Sequence, residues 1–175
     1  GVNLRGILMD LIQRKGLIQA GVVLMGYLNP FLQYGYEKLA HDAARGGVHG
    51  FIVPDLPHEE AEPLRNALKK EGIALIPLVG PNTSAERMAL YAAEGEGYVY
   101  VVSVMGITGE RGNVAPKVAE TMRRARSVFK LPLALGFGLR EPAQLEDLPA
   151  DARPDAVVFG SALLKHLDEG KSAEE

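Results

Sequence analysis

The sequence predicts an α/β fold built on a parallel sheet, and three observations predict it. Short apolar runs recur at residues 21–27, 50–54, 74–79, 98–102, 131–137 and 156–159. They are rich in Val, Ile and Leu without polar alternation, as strands buried on both faces require. Amphipathic helical stretches lie between them, and the unit of strand then helix returns every ~25–30 residues, a period shared by (β/α) barrels and doubly wound sheets. About six parallel strands follow from this pattern. No low-complexity linker interrupts it, so residues 1–175 read as a single domain.

The chain enters directly on a helical pattern before the first run. After that run, Tyr36, Leu39, Ala40, Ala43 and Ala44 stand at i, i+3, i+4, i+7 and i+8, one core-facing helical stripe. Beyond the third run, Thr83 with Glu86 three residues later has the spacing of a capping box. Pro116 and Pro142 suit the first turns of two further helices, where a missing N–H costs nothing. Small and special residues cluster after the runs: Asn29-Pro30, Asp55-Leu56-Pro57, Gly80-Pro81-Asn82, Gly106 to Gly109, Gly136 to Gly138 and Gly160-Ser161. They fall at the carboxyl ends of the strands, the functional face of either architecture.

Composition removes several classes of function. The 175 residues are 47% hydrophobic, enough for a sizeable core. The formal charge is −3 and the 19 basic residues are scattered, which leaves no stripe for a nucleic-acid backbone. The chain has no cysteine, which excludes disulfides, thiolate nucleophiles and cysteine-ligated metals. The apolar runs fall far short of the roughly 20 residues of a membrane span, and no signal-like leader precedes them, so a cytoplasmic enzyme is expected. The start at Gly1 without an initiator methionine and the stop at Glu175 within an acidic helical start give a chain expected to be truncated at both ends.

Gly136-Phe137-Gly138 and Phe159-Gly160-Ser161 each follow a predicted strand. Glycines there let backbone N–H groups approach a ligand, and a helix N-terminus just beyond favours an anion. Two such loops in succession point to a phosphate site, against the alternative of plain strand-to-helix turns. The dinucleotide fingerprint fails because Glu141 stands where its third glycine belongs, and a Walker loop fails because Lys165 precedes Gly170-Lys171-Ser172 in place of glycine. His41, His49, His58 and His166 have no metal-ligand spacing, and Asn82-Thr83-Ser84 reads as a turn and helix cap rather than a glycosylation site. Asp55, at a strand's carboxyl end, suits either acid–base chemistry or the capping of the following helix or orienting of a loop. No lysine follows a predicted strand, which disfavours Schiff-base chemistry.

Taken in order, Leu24 to Pro30, Gly50 to Pro57, Tyr98 to Gly109, Gly136-Phe137-Gly138 and Gly160-Ser161 resemble the tryptophan synthase alpha subunit family over essentially the whole chain. The third segment, a Ser-x-x-Gly-x-Thr-Gly loop after a Tyr-x-Tyr strand, is the most specific. The resemblance implies a (β/α)8 barrel represented by its third to eighth strands, an incomplete TIM barrel. It implies a lyase of tryptophan biosynthesis that cleaves indole-3-glycerol phosphate by retro-aldol chemistry to indole and glyceraldehyde 3-phosphate. Gly136, Gly138, Gly160 and Ser161 would hold the phosphate, while Tyr27, Ile52, Leu78, Tyr100, Phe137 and Val158 would line the indole pocket. Thr108 would lie on a closing loop given mobility by Gly106 and Gly109. Asn29, Asp55 and Pro57 would meet the beta subunit of an alpha2beta2 complex, and pyridoxal phosphate would belong to that partner, leaving no cofactor and no metal here.

The family's catalytic glutamate and aspartate have no counterpart in this sequence, since both would precede Gly1. The chain alone is therefore expected to be nearly inactive, and less stable than a version that closes the barrel, because unpaired parallel edges remain. Two rival readings stand beside the first: another phosphate-binding barrel, an isomerase or epimerase of sugar phosphates, and a non-catalytic subunit that binds a phosphate ligand and regulates a partner.

Overall fold

The apolar runs form strands, and every described strand pairing is parallel, in the computed structural model, which describes residues 2–102, 114–136, 145–146 and 148–170. The chain divides into two compact units, Gly1–Pro77 with Gly95–Gly97 and Leu78–Glu94 with Tyr98–Glu175.

The first unit carries α1 (Leu4–Gln13), β1 (Val22–Met25), α2 (Leu28–Tyr34), α3 (Tyr36–Arg45), β2 (Val48–Ile52), α4 (Glu62–Lys70) and β3 (Ala74–Leu75). Its sheet runs β1-β2-β3. The helices cover one face, where Leu8, Phe31, Leu39, Ala40, Ala43, Leu64 and Leu68 pack on Val48, Phe51 and Val53. The stripe read on α3 is thus the buried one, with Tyr36 and Ala44 at its margin. Phe31 meets Phe51 edge-on, with ring centroids 5.3 Å apart. Asp42, buried on α3, accepts from Tyr34 Oη at 2.7 Å and from Lys38 Nζ, and those two bonds hold its carboxyl below the ordinary range.

The second unit carries β4 (Leu78–Val79), α5 (Ala85–Glu94), β5 (Val99–Val102), α6 (Val114–Val128), β6 (Leu133–Gly136), β7 (Ala156–Val157) and α7 (Ser161–Asp168), with sheet order β4-β5-β6-β7. Met88 of α5 and Val118, Ala119, Met122 and Ala125 of α6 pack on Val79, Val99, Val101, Leu133 and Leu135. Asp155 ties α6 to the start of β6: its Oδ2 accepts from Arg126 and from the Leu133 N–H, each at 2.7 Å. Among the described residues, no helix is long and apolar enough to cross a membrane.

The structure departs from the sequence reading in three places. The run 74–79 is two strands, because Pro77 has no N–H for a ladder: the Ile76 N–H reaches Phe51 O at 2.9 Å, and pairing resumes at Leu78 with β5. Burial on both faces holds for β5, β6 and, beyond the exposed His49, for β2, whereas β1, β3, β4 and β7 at the sheet margins keep part of their surface exposed. The cap of α5 is Ser84 rather than Thr83. Ser84 Oγ accepts from Arg87 N–H at 3.2 Å, while Thr83 Oγ1 turns back to accept from Gly80 N–H at 2.9 Å. Pro116 falls in the first turn of α6, and Pro142 lies outside the described residues.

Candidate functional site

Register and the two-residue period of a strand decide which side chains share a face. In the second unit Leu78, Tyr100, Ala134 and Ala156 form one cross-strand row, and Val79, Val101, Leu135 and Val157 form the next. The second row lies in the helix-packed core. The first row therefore points to the opposite face, as do Gly136 and Val158, each two residues further along its own chain segment. Four sequence-predicted residues, Leu78, Tyr100, Gly136 and Val158, are thus brought to one face of one sheet. Ala134 belongs with them, and the parity of its run was the signal that could have found it.

Within that face the Tyr100 ring crosses Gly136. A Cβ built on Gly136 would overlap the phenol oxygen and Cζ and stand 2.9 Å from Cε2. Tyr100 is only 4% exposed. Burial, with a smaller contribution from Tyr98, pushes its phenol above the ordinary range, so the hydroxyl is a neutral hydrogen-bonding group at physiological pH.

At the far end of the sheet, Val158 N–H donates to Leu135 O at 2.8 Å and carries the chain to Gly160. The Gly160 carbonyl accepts the first helical bond of α7, from Leu164 N–H at 3.0 Å, which makes Gly160 the N-cap and Ser161 the first helical residue. The first-turn amides of a helix have no intrahelical acceptor and favour an anion. Among the described residues, apart from its two chain neighbours, no heavy atom stands within 4 Å of where a Cβ on Gly160 would be. Phe137, Gly138 and the Thr108 loop with Gly106 and Gly109 lie outside the described residues.

The first unit repeats the facial division. Phe51 and Val53 enter the helix-packed core, so Ile52 points to the other face beside its register partner Met25. Tyr27 follows β1 and is 69% exposed. Asn29 lies in the first turn of α2 and accepts from Gln33 Nε2 at 3.4 Å. Asp55 Oδ1 accepts from Leu28 N–H at 2.8 Å, which joins the loop after β2 to the start of α2 and brings Asp55 close to Asn29. Pro57 precedes a 3-10 turn, His58–Glu60. The Asp55 link spans 27 residues and has no local sequence signal.

Among the described residues no group of three or more His, Asp or Glu side chains is arranged to hold a metal. His49 Nδ1 instead accepts from Val22 N–H at 3.3 Å, where the β1–β2 register shifts, and His41 Nδ1 lies 3.4 Å from Glu71.

The family model for "Tryptophan synthase alpha chain" matches residues 1–175. The chain is 86% identical over 175 residues to the tryptophan synthase alpha chain of Desulfovibrio desulfuricans, covering all of this chain and 69% of that one. It is 57% identical over 173 residues to that of Nitratidesulfovibrio vulgaris, covering 99% of this chain and 66% of the relative. Among solved structures, the alpha chain from Legionella pneumophila superposes with a TM-score of 0.79 at 34% identity, over 98% of this chain and 64% of that chain. A Pyrococcus furiosus structure described as the "tryptophan synthase a2b2 complex" gives 0.85 at 31% identity, over 97% of this chain and 68% of that one. The fold is that of these TIM-barrel proteins, and the chain spans about two thirds of the length of the relatives it matches.

Proposed function

Because the chain belongs to the tryptophan synthase alpha chain family, we propose that it supplies the substrate-binding part of a cytoplasmic lyase that cleaves indole-3-glycerol phosphate to indole and glyceraldehyde 3-phosphate. The observation that carries this reading is the common face of Leu78, Tyr100, Gly136 and Val158, which leads to the exposed start of α7 at Gly160. An aromatic and aliphatic surface suits the indole ring, and a helix N-terminus at its edge suits the phosphate. The residues assigned to phosphate are Gly136, Gly138, Gly160 and Ser161. Those assigned to the ring are Tyr27, Ile52, Leu78, Tyr100, Phe137 and Val158.

In the retro-aldol step the bond between indole C3 and the glycerol chain breaks, C3 gains a proton, and the chain hydroxyl loses one as it becomes the aldehyde. Positioned acids and bases contribute about 10²–10⁴-fold each to such transfers. The family's catalytic carboxylates have no matching positions in this sequence, so the share of these 175 residues is to bind and orient the substrate. They are expected to release almost no indole by themselves. A beta subunit is the proposed partner, through Asn29, Asp55 and Pro57, and pyridoxal phosphate is assigned to that subunit.

Calorimetric titration tests the reading. The protein is expected to bind an indolylalkyl phosphate and to ignore simple sugar phosphates of the same charge. Equal affinity for both would instead favour an isomerase or epimerase barrel. Restoration of the two upstream carboxylates should bring indole release, and its absence in a protein that binds the indolyl phosphate would favour a purely regulatory subunit.

A further inference from the structure

The turn that carries Tyr27 is held at both ends by the neighbouring strand and its exit loop. On one side Gly26 N–H donates to Ile52 O at 3.1 Å and prolongs the β1–β2 ladder by a residue. On the other side Leu28 N–H donates to Asp55 Oδ1 at 2.8 Å. Tyr27 occupies the N-cap of α2 without any side-chain bond to the helix. Its phenol is too long to serve as Ser, Thr, Asp or Asn would, and the missing acceptor arrives from 27 residues further along the chain. The turn has little room to slide, because a Cβ on Gly26 would already stand 2.8 Å from Cζ of Phe31, whose ring is packed against Phe51.

From this geometry we infer that Asp55 is a positioning residue: its carboxylate caps α2 from a separate loop and thereby fixes Tyr27 beside Ile52, where the substrate's indole ring is bound. The ligand class rests on the function proposed above, whereas the cap stands on the bond from Leu28 N–H to Asp55 alone. What Asp55 supplies is an oxygen acceptor at a fixed place rather than a transferable proton. Asp55→Asn keeps that acceptor, and Asp55→Ala removes it.

The test titrates the intact protein with 3-indolylpropyl phosphate and, separately, with glycerol 3-phosphate. Asp55→Ala should weaken the indolyl ligand about tenfold, the factor matching one lost capping bond, and leave glycerol phosphate within about twofold. Asp55→Asn should restore most of the loss. Unchanged indolyl affinity in Asp55→Ala overturns the inference, and so does an Asp55→Asn protein as weak as Asp55→Ala, since then the charge itself acts. Amide NMR decides the cap independently of any ligand. The Leu28 N–H should exchange slowly with solvent in the parent and in Asp55→Asn and faster in Asp55→Ala, and a Leu28 N–H that exchanges alike in all three refutes the cap. If the parent binds neither ligand, the substrate reading fails while the Leu28 exchange still settles the cap.

Discussion

Replacing Gly136 with alanine places a methyl group inside the Tyr100 phenol, and the cost follows from where that ring can go. The added Cβ would overlap the hydroxyl and Cζ and lie 2.9 Å from Cε2. Tyr100 is 4% exposed on a strand paired on both sides, so the ring cannot swing into solvent without leaving its site. Overpacking of this kind costs about 1–3 kcal/mol, which at a urea slope of about 1–3 kcal/mol/M moves the midpoint by roughly 1 M. The φ of Gly136 lies outside the left-handed range, so no backbone strain adds to the steric term. Tyr100→Leu removes the three atoms in the way. Urea denaturation of the parent, Gly136→Ala, Tyr100→Leu and the double variant therefore forms a cycle in which the cost of Tyr100→Leu itself cancels. The double variant is expected to be more stable than the sum of the single changes by about 1–3 kcal/mol. Additivity to within about 0.5 kcal/mol would refute the steric account.

Three further outcomes are expected. Ser84→Ala should lower stability by about 1 kcal/mol, with Thr83→Ala acting through the Gly80 turn instead of the helix, as helix-resolved hydrogen exchange in α5 would report. Gly26→Ala should cost about 1–3 kcal/mol, because the new methyl meets the packed Phe31 ring at 2.8 Å; Phe31→Leu should relieve it in a second denaturation cycle. The Arg126 guanidinium and then the Leu133 N–H hold the Asp155 carboxyl below its ordinary value of 3.8. The unfolded chain therefore takes up this proton first, so the stabilisation is complete above about pH 5 and is lost as pH falls through 3.8 toward the lower folded value. The midpoint difference between the parent and Asp155→Asn should shrink over that window, and a constant difference down to pH 2.5 would count against it.

Local periodicity made most of the scaffold legible. The α3 stripe and the strands β2, β5 and β6 follow from spacing alone, since a helix or strand that buries one pattern of side chains must show it. Pro77 was legible in principle, because a proline inside a run argues against one continuous ladder. The capping error at Thr83 is a shift of one residue between two adjacent hydroxyls, each able to cap, and only the position of the first helical turn separates them. The bonds of Asp55 to Leu28 and of Asp155 to Arg126 span 27 and 29 residues. They arise when a strand exit meets a helix start or when a helix lies against a strand, and no window of sequence contains both partners.

The two described glycines of the candidate phosphate site do not carry equal weight. At Gly136 the missing side chain is explained within the protein, by the Tyr100 ring that fills its place, so glycine there is no independent sign of an approaching ligand. Gly160 is the reverse case. It caps α7, and among the described residues nothing beyond its chain neighbours crowds the place a Cβ would take. Glycine is among the residues favoured at a helix N-cap, and without a side chain it leaves the first-turn amides open to the proposed phosphate. On this reasoning Gly160→Ala should weaken phosphate binding with little change in the denaturation midpoint, whereas Gly136→Ala should lower the midpoint first and binding only as a consequence. Titration of both variants with glycerol 3-phosphate beside their urea curves separates the two roles, and a Gly160→Ala protein that binds phosphate as the parent does would remove the helix start from the site.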